Sequence, residues 1–237
     1  MTRPVLELEG LTVAVGDHIV CRDVDLAIGA GEVHVLLGPN GSGKSSLLSA
    51  VMGLEPFRIV SGTTRLAGND LSDMSITERA QAGLGMAFQH PPRLEGVTVR
   101  RFAQAMGAAE GLASGAQDLA LTALLDRELN VGFSGGEAKR WEVLKLELQQ
   151  PLMCLFDEPE SGVDLEHVGD VGSAIRGLLQ TPTADGDGRA ALVITHTGFV
   201  LDSLQTTKGH LMIDGRLVAE GDAREMFERI RREGYRA

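Results

Sequence analysis

Apolar and polar residues are arranged in three distinct textures along the chain. LELEGLTVAV (6–15) and CRDVDLAI (21–28) alternate apolar with polar positions, as strands with one buried face do. GEVHVLLG (31–38), LMCLFDEP (152–159) and AALVITH (190–196) are instead short, nearly unbroken apolar runs, the pattern of strands covered on both faces. GTTRLAG (62–68) and GLGMAFQ (83–89) read as further short strands, and HLMIDGRLVAEG (210–221) as a hairpin turning at Asp-Gly. Helices are predicted over Gly43 to Met52, over SITERAQ (75–81) and over DAREMFERIRREGY (222–235). In SITERAQ, Ser75 and Glu78 form a capping box. From Pro91 to about Gln150 strand signals vanish and the texture is helical, interrupted by MGAAEGLASGAQD (106–118), which reads as a loose Gly/Ala/Ser loop. TPTADGDGRA (181–190) reads as a solvated loop.

Apolar strands alternating with helices predict an α/β fold with a largely parallel sheet, and the alternating N-terminal strands an added antiparallel layer. The helical stretch predicts a second lobe within one domain, 1–237. Residues 1–89 and 151–237 form the α/β lobe and residues 90–150 the helical one. A net charge of −11 argues against a nucleic-acid partner, which needs a basic face. No apolar run approaches a membrane span and the first ten residues lack a signal-peptide core, so a cytoplasmic protein without direct membrane insertion is expected. Cys21 and Cys154 lie in separate apolar runs and read as buried reduced thiols, with no cysteine–histidine pattern for a permanent metal.

Gly38-Pro39-Asn40-Gly41-Ser42-Gly43-Lys44-Ser45, followed by Ser46, fits GxxxxGK[ST] between a predicted buried strand and a helix. Glycines there let backbone N–H groups turn inward around phosphates, and the helix N-terminus adds its positive dipole end. Lys44 reaches the β- and γ-phosphates, and the Ser45 hydroxyl ligates Mg²⁺. Asp157 and Glu158 sit at the carboxyl end of a buried strand, where open α/β sheets bind ligands. Asp157 suits Mg²⁺ and Glu158 the polarisation of an attacking water. In FSGGE, Ser134 can cap a helix while Gly135 and Gly136 let a phosphate approach bare backbone, at a cost in helix propensity.

Phosphate loop, FSGGE, LMCLFDE, SGVD (161–164) and Thr195-His196 occur in the order and spacing of ABC ATPases, and the chain resembles that family over essentially its whole length. The resemblance implies an ABC nucleotide-binding domain with a RecA-like sheet, an ATPase using ATP and Mg²⁺. It implies two copies paired head-to-tail, with ATP between the phosphate loop of one and Ser134-Gly135-Gly136 of the other. Gln89 would sense the γ-phosphate and Mg²⁺, Glu158 would be catalytic base, His196 would contact the γ-phosphate and Asp164 would link the two sites. Taken alone, His196 is a lone histidine at a strand end. The family's adenine-stacking aromatic is matched by Val15, and Tyr235 is far away in sequence, so base selectivity is expected to be modest.

Within the family the chain resembles SufC, the ATPases of Suf-type iron–sulfur cluster assembly. The carriers are His34 in GEVHVLLGPNGSGKSS, MAFQHPPRLEGVTV (86–99), LNVGFSGGEAKR (129–140) and FDEPESGVDLEH (156–167), with Glu160 where transporters usually have Thr. That resemblance implies a SufB-like (SufB/SufD) scaffold as partner, docking around Gln89–Gly96, although HPPRLEG (90–96) read alone is an ordinary surface loop. The short stretch between Gln89 and Ser134 and the DEPESGVD variant suggest a compact type working with a single kind of scaffold. Trp141, with Leu144 and Leu148, reads as core. The alternative is the ATPase subunit of an ABC membrane transporter.

Overall fold

The computed structural model describes residues 3–235. In chain order its elements are β1 (Leu6–Val15), β2 (His18–Ile28), β3 (Val33–Leu37), α1 (Lys44–Met52), β4 (Phe57–Leu66), β5 (Asn69–Asp70), α2 (Ile76–Gln81), β6 (Leu84–Ala87), β7 (Leu94–Thr98), α3 (Val99–Ala105), α4 (Ala109–Asp118), β8 (Glu128–Leu129), α5 (Gly135–Gln149), β9 (Met153–Asp157), α6 (Leu165–Gln180), β10 (Ala190–Ile194), α7 (Phe199–Ser203), β11 (Lys208–Ile213), β12 (Arg216–Gly221) and α8 (Ala223–Glu233). A six-stranded sheet runs β12-β11-β3-β10-β9-β6 and a four-stranded one β2-β1-β4-β5. Within the larger sheet β11, β3, β10, β9 and β6 are parallel and only the edge strand β12 is antiparallel. The three unbroken apolar runs are its central strands β3, β9 and β10, every residue of each buried. Helices α6, α7 and α8 pack on one face of this sheet, while α1 and the four-stranded antiparallel sheet fill the other. Asp214 and Gly215 turn the β11–β12 hairpin, both with positive φ. Cys21 and Cys154 are buried free thiols.

Between β6 and β9 the texture is helical as expected, with two differences. A two-stranded ribbon, β7 with β8, interrupts it. The stretch read as a Gly/Ala loop is helix α4, which buries Leu112, Gly115 and Ala116. Its glycines cost about 1 kcal/mol each relative to Ala in a helix. They are tolerated because α4 lies tight on α5: a Cβ on Gly115 would overlap Leu144 Cδ1, and one on Gly111 would stand 3.2 Å from Leu148 Cδ2. Trp141 is 1% exposed in the same cluster, edge-on to Phe102, as expected of core.

His34 of β3 meets His210 of β11 inside the larger sheet, Nδ1 to Nε2 at 3.0 Å, and His34 Nε2 faces Glu32 Oε2 at 3.2 Å. A carboxylate only accepts, so His34 carries its proton on Nε2 and accepts from His210 through Nδ1. Burial, then the neighbouring His34, pulls the pKa of His210 down to about 4; Lys208 pulls the same way and Glu220 opposes. Burial lowers His34 as well, against the pull of Glu32. A histidine with a depressed folded-state pKa contributes stability above the unfolded value near 6.5 and loses it as pH falls toward the folded value. His210 therefore gives an expected loss on the order of 3 kcal/mol between about pH 6.5 and 4. Melting curves across that window should be flatter for His210→Asn than for the parent; equal slopes would remove His210 as the cause.

Candidate functional site

The phosphate loop is shaped by close backbone approaches. Gly38 has φ 154°, and a Cβ there would collide with the Met212 carbonyl; Gly43, the α1 N-cap, has φ 104° and faces Val20 O at 2.7 Å from a would-be Cβ. Backbone bonds tie the loop to its neighbours: Gly215 N–H donates to Ser42 O at 2.9 Å and Arg22 N–H to Gly215 O at 2.8 Å. The Lys44 ammonium curls into its own loop, donating to the Gly38 and Pro39 carbonyls at 2.9 Å each and to Ser42 Oγ at 3.4 Å. Burial lowers its pKa, against the pull of Glu158 and Asp157.

At the carboxyl end of β9 the two carboxylates divide. Asp157 Oδ1 accepts from Ser45 Oγ at 2.9 Å, and burial raises its pKa. Glu158 has φ 46°, a left-handed backbone of the kind that gathers at functional sites. Its Oε2 accepts from Gln89 Nε2 at 2.5 Å and its Oε1 lies 2.7 Å from His196 Nε2. Gln89, Glu158 and His196, from three different strand ends, thus form one chain of contacts.

Sequence reading passed over the residues beneath this chain. Lys139 on α5 is 4% exposed and donates to the carbonyls of Phe88, Gln89 and Glu158 at 3.1, 2.8 and 3.0 Å. Burial depresses its pKa, opposed first by Glu142 and then by Glu160, Asp157 and Glu158. One turn on, Glu142 Oε2 accepts from Phe88 N–H at 2.9 Å and from Lys145 at 2.7 Å. Lys139 and Glu142 stand three apart on α5 and both are buried, although residues of these types are ordinarily solvent-exposed.

A cavity of about 1090 Å³ holds Lys44, Ser45, Ser46, Gln89, Glu158 and His196, together with Pro39, Asn40, Gly41 and Gly43 of the loop. Its remaining lining is Ile19, Val20, Arg22, Asp214, Gly215 and Tyr235. Tyr235, distant in sequence, lines this cavity, and Val15 does not. Ser134, Gly135 and Gly136 do not line the cavity. Ser134 caps α5 with Glu137, Ser134 N–H to Glu137 Oε2 at 2.7 Å and Glu137 N–H to Ser134 Oγ at 3.2 Å. A Cβ on Gly135 would overlap the Gly162 carbonyl, so this turn backs onto SGVD. There Asp164 is exposed and Leu165 is 74% exposed.

Among the described residues no set of three or more His, Cys, Asp or Glu is gathered to hold a metal ion. Mg²⁺ needs less from the protein, one or two oxygens beside substrate phosphates. The Ser45 hydroxyl against a buried Asp157 carboxylate, with Lys44 alongside, supplies hard oxygen donors of that kind, so the residues fit the ion.

A phosphate loop at a strand–helix junction, with a carboxylate pair at the end of a neighbouring parallel strand, defines a nucleotide-binding ATPase domain. The family described as "ABC transporter" matches residues 21–161. The chain is 34% identical to the "Probable ATP-dependent transporter SufC" of Escherichia coli (strain K12), covering 98% of this chain and 97% of that protein. It is 32% identical to "Vegetative protein 296" of Bacillus subtilis (strain 168), over 99% and 93%. Among solved structures, the ADP conformation of an ATP-binding cassette of an ABC transporter superposes with a TM-score of 0.79, at 24% identity, over 98% of this chain and 96% of that one. The chain belongs to the ABC ATPase family, in its SufC group, and its activity is ATP hydrolysis. Among the described residues no helix is long and apolar enough to cross a membrane.

Proposed function

We propose that this chain is the ATP-hydrolysing subunit of a cytoplasmic iron–sulfur cluster assembly complex, closing on a second copy of itself and moving a SufB-like scaffold. The observation that carries the reading is the identity to SufC, which runs over nearly the full length of both chains. ATP would lie in the 1090 Å³ cavity, its phosphates over the loop from Gly38 to Ser46. Lys44 would exchange its loop carbonyls for β- and γ-phosphate oxygens. Ser45, Asp157 and Gln89 would hold Mg²⁺, which supplies charge neutralisation between the phosphates. Glu158 takes the proton of a water whose oxygen attacks the γ-phosphorus, the bond to the β-phosphate oxygen breaks, and His196 donates to the γ-phosphate. Ser134, Gly135 and Gly136 are outside this chain's own cavity. They would therefore act on the nucleotide of a second copy, with Asp164 at the seam, so that an isolated chain turns over slowly. Each copy is fixed to a scaffold subunit near Gln89–Gly96, and closure does work on that scaffold. The whole stretch 1–237 acts as one domain with the α/β and helical lobes given above. We extend the proposal to a compact type using one kind of scaffold; a stable SufB–SufD heteromer isolated around this chain would overturn that extension.

The family's description as "ABC transporter" keeps a second reading, the ATPase subunit of a membrane transporter. Capture of partners from native lysate without detergent separates the two. A partner that carries or accepts an iron–sulfur cluster supports the first; a polytopic membrane protein recovered only after detergent supports the second.

Tyr235 makes base contact testable. Tyr235→Ala is expected to weaken ATP binding about five- to tenfold, the low end of the 1–3 kcal/mol of an aromatic–base contact. Inorganic tripolyphosphate binding should not change. Equal losses for both would place the ring at the phosphates instead.

A further inference from the structure

We propose that Glu160 is a positioning residue that clamps the turn carrying His196 onto Glu158. The inference rests on the reading of Glu158 and His196 as the hydrolytic pair. Glu160 is 5% exposed, two residues beyond Glu158. Its Oε1 accepts from two hydroxyls, those of Thr195 and of Thr197, the latter at 3.1 Å. These threonines flank His196 on either side. Thr195 Oγ1 in turn accepts the Gly198 N–H at 3.2 Å, so the clamp runs through the whole turn from 195 to 198. The segment bearing Glu160 is itself fixed to its surroundings: Glu158 N–H donates to Ile194 O at 3.2 Å, and Ser161 N–H to Glu158 O at 3.0 Å. With both turns tied together, His196 Nε2 stands 2.7 Å from Glu158 Oε1.

A carboxylate suits this job because it only accepts, and two hydroxyls can donate to it at once without a competing proton. The second oxygen, Oε2, is buried without a hydrogen-bond partner. Burying a carboxylate in this way is costly, and the nearby Lys139 ammonium offsets part of the cost. A group kept at such cost between two turns of an active cavity is an arrangement for geometry rather than stability.

The test compares Glu160→Ala, Glu160→Gln, His196→Ala and the double variant Glu160→Ala/His196→Ala in steady-state ATP turnover. The imidazole resonances of His196 are followed by NMR in the parent and in the Glu160 variants. Glu160→Ala is expected to lower kcat about tenfold with KM within about twofold, an effect made only in the transition state. Glu160→Gln, whose amide oxygen still accepts both hydroxyls, should recover most of it. The double variant should be no slower than His196→Ala, because both changes remove one arrangement. The His196 signals should move in Glu160→Ala and return in Glu160→Gln. Losses that multiply in the double variant, or unmoved His196 signals, would overturn the proposal. A His196→Ala variant with parental kcat would instead sink the hydrolytic reading of His196, while moved signals would still show the clamp. Should Glu160→Ala fail to fold, Thr197→Val, on an exposed side chain, removes one arm of the clamp and is expected to lower kcat about threefold; unchanged kcat there would count against it.

Discussion

Glu158→Gln is expected to lower ATP turnover by roughly 10²–10⁴, the range for removal of a positioned general base, while leaving ATP affinity near that of the parent. The substitution keeps shape and keeps an oxygen able to accept from Gln89 or His196, so the three-residue chain can persist. Only the capacity to take a proton is lost. The phosphate loop is untouched, since Lys44 bonds to Gly38, Pro39 and Ser42 and not to Glu158. Turnover in single-cycle conditions beside equilibrium binding of ATP checks both halves. A loss of less than about tenfold would move the base elsewhere, and a parallel loss of binding would make Glu158 part of the nucleotide seat rather than its chemistry.

The sequence was most legible where local chemistry and burial agree. Unbroken apolar runs announced β3, β9 and β10, because a strand covered on both faces has no polar side to alternate. Ser75 with Glu78 marked the start of α2, and Ser134 was read as a helix cap, because caps are contacts within one turn. Glu158 was legible from its place at the end of a buried strand and Gln89 and His196 through a resemblance, and the structure brings the three into contact from three strand ends. What stayed hidden depends on partners distant in the chain. The helix α4 escaped because its glycines are unfavourable locally and find their reason only against Leu144 and Leu148. Tyr235 reaches the cavity from beyond α8, which no local pattern can indicate. Lys139 and Glu160 stood out only as parts of motifs and Glu142 not at all, since the burial of a charge is decided by carbonyls, amides and hydroxyls supplied from elsewhere.

Lys139→Met is the change expected to cost the fold most among these residues, by about 3 kcal/mol, in line with hydrogen bonds to a buried charge. Methionine keeps the apolar stem of the side chain, so packing along α5 is preserved and the lost interactions are the three donated bonds and the attraction between the ammonium and Glu142, Glu160, Asp157 and Glu158. They leave the carbonyls of Phe88, Gln89 and Glu158 without this donor at the point where β6 and β9 deliver their ends to the cavity. Relief of the lysine's own desolvation, seen in its depressed pKa, offsets part of the cost and keeps the figure from being larger. For a chain of this size, 1 kcal/mol moves the melting temperature by about 2–4 °C, so a fall of roughly 6–12 °C is expected. ATP affinity should change little while turnover drops, because the ammonium ties Gln89 to Glu158 and leaves the phosphate loop alone. An unchanged melting temperature would mean that the three carbonyls find other donors. It would also mean that α5, which begins at the Ser134 turn, does not hold the Gln89 strand end against the Glu158 strand end.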